Sequence, residues 1–204
     1  MGWHRWLVWA VGLTVPGGIA IAAPSAWGPA PGHTGGFGDP TCRECHSDNP
    51  LNEPGGTLEL DAPEQYKPGE THRLTVRLRR AGMRRGGFQM VARYAAGQTR
   101  GQQAGTFSQP RDRRIALVEH PVRHLTFVQH TPEGTAATDD SGLQWSIEWE
   151  APSEGSIPVV FNVAGNASND DDSELGDFIY AVSREVQSVL RGVHVNRARN
   201  KDSK

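Results

Sequence analysis

Leu143-Gln144-Trp145-Ser146-Ile147-Glu148-Trp149 alternates large apolar and polar side chains without a break. Successive side chains of an extended strand point to opposite faces. Leu143, Trp145, Ile147 and Trp149 therefore share a buried face, while Gln144, Ser146 and Glu148 share a wet one. On this reading the two tryptophans are core residues rather than a stacking platform for a haem or a sugar.

The same period of two extends in both directions. Arg73 to Arg79 sets Leu74, Val76 and Leu78 against Arg73, Thr75, Arg77 and Arg79, and Thr57 to Leu60 repeats the pattern in brief. Further short runs at 87–94, 113–119, 125–130, 157–165 and 178–186 are bounded by Gly, Pro, Asn and Asp. Long helical periods are missing. Eight or nine short strands with frequent turn signals predict an all-β antiparallel sandwich over 57–190, with a frayed tail at 191–204. The arginines at 77–85, with Arg93 and Arg100, fit the solvated face of an edge strand, where charge blocks sheet-to-sheet association. Pairing with haem propionates or an acidic partner is the alternative.

Upstream, 23–56 is rich in Gly and Pro and poor in apolar side chains, with Trp27, Phe37 and Leu51 as exceptions. It holds the only two cysteines, in Thr41-Cys42-Arg43-Glu44-Cys45-His46. C-x-x-C-H is the signature of covalent haem attachment, with Cys42 and Cys45 as thioether anchors and His46 as an iron ligand. Asp39 as N-cap and Pro40 at the first helical position predict a helical turn over 40–48, ended by Asn49-Pro50. A redox pair would be expected beside a βαβ pattern, and a zinc site would need further ligands. Because a haem needs burial, the rest of the chain must supply a wall for it. The glycines before Cys42 would let backbone lie close to the haem.

A second axial ligand could come from His33, His72, His120, His124, His130, Met83 or Met90. His130, at the end of a predicted strand, is the first choice; a backbone-bonded strand-end histidine is the plainer account of it. Met90 also suits a gap in the core. With the sixth position left open, the iron would bind a small ligand instead.

Several features limit the function. A net charge of −2 over 204 residues gives no bulk attraction to nucleic acid. His4 and Arg5 followed by an apolar run to Ala23 read as a signal peptide at 1–22, cleaved after Ala22 or Ala26. Pro16, Gly17 and Gly18 interrupt that run and disfavour a retained anchor, so no stable membrane span is expected after cleavage. Asp170-Asp171-Asp172-Ser173-Glu174 lacks the spacing of a calcium loop and reads as solvated. No G-x-S-x-G elbow or other enzyme signature occurs.

Tyr66-Lys67-Pro68-Gly69-Glu70-Thr71-His72-Arg73-Leu74-Thr75-Val76 resembles the opening strand of the reelin N-terminal (Reeler) domain family. Gly86 to Met90, Val128 to Thr131, Trp149 to Pro152, Phe161 to Ala167 and Gly176 to Tyr180 are similar to its later motifs, in the same order. Bacterial chains of this kind carry C-x-x-C-H ahead of the domain, the choice-of-anchor V arrangement. The resemblance implies an immunoglobulin-like β-sandwich and says less about function. The acidic loop at 170–174 departs from the family by its length. Together these readings anticipate a periplasmic or secreted, cell-surface monohaem c-type cytochrome passing electrons between redox partner proteins. The rivals are a haem-based O₂ or NO binder or sensor, and a surface adhesion or matrix module with structural haem.

Overall fold

The computed structural model describes residues 27–137 and 142–189. The expected signal peptide at 1–22 and tail at 191–204 lie outside the described residues.

The described chain is all-β, with ten strands: β1 (Gly56–Asp61), β2 (Gln65–Tyr66), β3 (Thr71–Arg80), β4 (Arg85–Tyr94), β5 (Thr106–Phe107), β6 (Ile115–Glu119), β7 (Thr126–His130), β8 (Leu143–Glu150), β9 (Val159–Ser168) and β10 (Phe178–Ser188). One sheet has the order β1-β3-β8-β5 and the other β2-β10-β9-β4-β7-β6. Two sheets face each other, as the alternation predicts. The pairing is not wholly antiparallel: the two residues of β2 run parallel to Gln187 and Ser188.

β8 shows why the fold forms. Its burial alternates residue by residue through all eight positions. Leu143, Trp145 and Ile147 stand opposite Leu78, Val76 and Leu74 of β3 and extend one apolar face across both strands. Trp145 meets Phe88 of the other sheet at a ring distance of 4.6 Å. Trp149 meets Phe161 edge-on at 4.9 Å. Each indole N–H has an acceptor, Gly134 O for Trp145 and Ala104 O for Trp149, both at 3.0 Å. Large rings with satisfied polar edges pin the two sheets together.

The arginine-rich strands are not edges. β3 lies between β1 and β8, and β4 between β9 and β7. The basic side chains of β3 occupy the solvent face of an interior strand, and Arg93 of β4 is buried. The edge reading failed because charge on one face carries no information about a strand's neighbours.

β4 is buried from its second to its ninth residue, on both faces. One face meets the core. The other, the outer face of the six-stranded sheet, lies beneath the N-terminal segment. Gly32 and His33 donate their N–H groups to Gln89 Oε1 at 2.9 and 2.8 Å. Gln89 donates to Gln129 Oε1 at 2.9 Å, and Gln129 donates to Trp27 O at 2.7 Å. Further along, Asn52 donates to Ile179 O and accepts from Ala181 N, extending the cover to β10. The segment from 27 to 55 is thus a strap across the sheet. Its glycines serve this packing: a Cβ on Gly36 would collide with the Asn162 side chain.

Candidate haem-attachment site

The C-x-x-C-H turn sits where the strap crosses the end of β9. Its helical part is shorter than predicted, a single 3₁₀ turn at Cys42–Glu44. Thr41, not Asp39, is its cap, accepting from Arg43 N at 3.2 Å. Asp39 is drawn away by stronger partners, the guanidinium groups of Arg93 and Arg123. The His46 N–H reaches Cys42 O at 3.1 Å and closes the turn around both cysteines. Arg43 braces the exit, donating to Asn49 O at 2.8 Å and Ser47 O at 3.1 Å.

Both cysteines are free thiols, Cys45 exposed and Cys42 partly covered. Packing around Cys42 pushes its thiol up to about 12, with a smaller contribution from Cys45, while part of the residue still meets solvent. Redox C-x-x-C sites show the opposite shift. Among the described residues, no three His, Cys, Asp or Glu side chains converge on a point where a bare metal ion could sit.

His46 has a fixed partner. Its Nδ1 lies 2.8 Å from Asp177 Oδ2, and the Asp177 side chain is 1 % exposed. An ionised carboxylate only accepts, so Nδ1 is the donor to Asp177 and Nε2 is the nitrogen left to meet a ligand. Burial raises the Asp177 pKa, and the hydrogen bonds from His46, Asn166 and Ser168 outweigh it, leaving the group below the usual carboxylate range. Asn166 Nδ2 donates to the same carboxylate at 2.8 Å and lies 3.4 and 3.5 Å from the two ring nitrogens of His46. Sequence reasoning missed both residues. Asn166 and Asp177 each fall in a family-like motif, Phe161 to Ala167 and Gly176 to Tyr180, and nothing in either pointed to His46.

These donors fit one covalently held haem: two thiols at C-x-x-C spacing, with a histidine whose second nitrogen is already occupied. Two leucines stand in the open on the neighbouring chain, Leu51 at 41 % and Leu175 at 63 % exposure, and would offer apolar cover. Leu175 precedes Gly176, whose N–H donates to Asp48 just beyond the motif.

The candidates for the opposite axial position are scattered. His130 is buried at the end of β7, its Nδ1 accepting from Phe88 N at 2.9 Å and standing 3.1 Å from Phe88 O. The imidazole takes the place of a strand partner there, and only glycine at 87 leaves room for it. Burial lowers its pKa. It approaches the motif only indirectly, since Gly87 pairs across the sheet with Asn166. Met90 is fully buried between the sheets, and Met83 packs half-buried against the core. His33 is held at both nitrogens, 2.7 Å from Ala30 O and 2.7 Å from Glu44 Oε2. His72 stacks at 5.9 Å on Trp149, and His120 accepts from the N–H groups of Val122 and Arg123. His124 lies in the same turn with a left-handed backbone. The acidic loop folds on itself, with Asp171 accepting from Ser173, as solvated loops do.

The class these observations define is a two-sheet β-sandwich carrying a C-x-x-C-H strap on its outer face. Among solved structures, the chain is similar to the human F-spondin reeler domain at 17 % identity and a TM-score of 0.46, over 69 % of this chain and 95 % of that one. It is also similar to a cohesin module from a Clostridium perfringens family 33 glycoside hydrolase, at 12 % identity and a TM-score of 0.42, over 66 % of this chain and 95 % of that one. No protein-family model and no curated protein matches the chain. Among the described residues, no helix is long and apolar enough to cross a membrane.

Proposed function

We propose that this protein is an exported monohaem c-type cytochrome that carries single electrons between periplasmic or cell-surface redox partners. The observation that carries the reading is His46 of C-x-x-C-H, held through Nδ1 by a buried carboxylate beside the chain's only two cysteines. Cys42 and Cys45 would anchor the haem and His46 would ligate its iron; bound there, the haem supplies a one-electron couple. The protein's own contribution is rigidity. Arg43 locks the turn, and the strap ties it to the sheet, so the site reorganises little between oxidation states.

A second reading has a specific observation behind it. His130 is bonded to Phe88, Met90 is enclosed and His33 is held at both nitrogens. An iron left open on its far side would bind O₂ or NO, making the protein a ligand binder or sensor. The visible spectrum after expression with a c-type maturation system decides. One haem per chain, lost in Cys42→Ser/Cys45→Ser, is the expected result, and no haem in the wild type overturns the proposal. A low-spin spectrum that turns high-spin in His130→Ala identifies His130 as the far ligand and favours the electron carrier. A high-spin, CO-binding wild type favours the ligand binder.

A further inference from the structure

We propose that Asp177 is a positioning residue for the haem iron: its carboxylate holds the Nδ1 proton of His46 and, through the imidazole, lowers the reduction potential. This rests on the haem reading above.

Burying a lone carboxylate is unfavourable unless it is fully bonded. Asp177 is 1 % exposed, and its two oxygens meet His46 Nδ1 at 2.8 Å, Asn166 Nδ2 at 2.8 Å and the Asn169 N–H at 3.3 Å, with the Ser168 side chain bonding to it as well. The backbone on both sides is tied to the strap as well. Asn49 donates to Asp177 O at 2.8 Å, and the Gly176 N–H donates to Asp48. Every one of these ties to the strap ends within three residues of His46. The carboxylate is fixed relative to the imidazole and cannot swing to solvent.

Its chemistry follows from its charge. A neutral acceptor on Nδ1–H would only orient the ring. An anionic one also raises the basicity of Nε2, and a more basic ligand favours the ferric over the ferrous ion. The sandwich therefore contributes the carboxylate that meets Nδ1, from the hairpin end between β9 and β10.

Asp177→Asn keeps the shape and an acceptor but removes the charge. With haem attached as in wild type, the reduced-to-oxidised ratio at a fixed solution potential should rise about tenfold, equivalent to about 59 mV for a one-electron couple. A second measurement needs no haem. In the full chain carrying Cys42→Ser/Cys45→Ser, ¹⁵N NMR should show His46 protonated at Nδ1, and this arm decides if Asp177→Asn fails to fold. An attached haem with an unchanged potential in Asp177→Asn overturns the inference alone, as does a His46 whose Nδ1 carries no proton. A wild type without haem overturns the cytochrome reading and this inference together.

Discussion

Asp39→Asn should loosen the whole strap. Asp39 bridges two guanidinium groups, Arg93 on β4 and Arg123 in the turn before β7, and is the main charge holding the segment down ahead of Cys42. The two arms differ in weight. Arg123 is 36 % exposed, so its share is at most about 1 kcal/mol. Arg93 and Asp39 are 3 % and 8 % exposed, and Arg93 Nε has no hydrogen-bond partner. Burial lowers the Arg93 pKa, and the bond and charge of Asp39 work against that shift. In Asp39→Asn the guanidinium keeps an amide oxygen and the Phe37 ring at 5.0 Å but loses the negative charge that offsets its burial. Removing one member of such a buried pair destabilises by about 3–5 kcal/mol. For a domain of this size that is a fall in Tm of about 10 °C, and urea unfolding would read the same loss. Replacing both members is gentler, so Asp39→Asn/Arg93→Met should recover more than half of it. A loss below about 1 kcal/mol for Asp39→Asn, or simple additivity of the two single variants, would refute the argument.

Other positions give sharper local tests. Gly87→Ala places a methyl group where the His130 ring lies, and should destabilise by about 1–3 kcal/mol in chemical denaturation. His130→Ala leaves the Phe88 N–H without its bond, for a loss of about 1–3 kcal/mol, and the double variant should lose less than the sum because the methyl enters the vacated space. Trp145→Ala should lose about 3–5 kcal/mol, measured by the same unfolding curves, since the ring is fully buried and holds Gly134 O. Cys45→Ser alone should leave the unfolding midpoint of the haem-free protein within about 0.5 kcal/mol, because the thiol is exposed.

The sandwich was legible wherever one face of a strand meets core and the other meets water. β8 is the clearest case, and its burial follows its alternation throughout. β4 was harder to read, because Gln89 and Arg93 are buried under partners that lie 54 to 57 residues away in sequence. A polar residue on a strand looks like a solvent residue until the strap that covers it is known. Strand order was invisible for a related reason, as pairing depends on register and topology rather than on composition. The C-x-x-C-H motif was plain because its chemistry needs fixed local spacing. The groups that support it were not, because Asn166 and Asp177 reach His46 only through the folded sheet.

The strap has a consequence for the order of events in a newly made chain. His46 emerges 120 residues before Asn166, and its seat is complete only when β9 and β10 have paired. Contacts that distant form late, after the local hairpins. Until then the two thiols and the imidazole stand on a glycine-rich segment whose seat on the sheet has not formed. Once the last hairpin closes, His46 is held against Asp177 while the Cys45 thiol stays exposed. The seat of His46 is thus among the last parts of the fold to be completed, although the motif it belongs to comes near the start of the described chain.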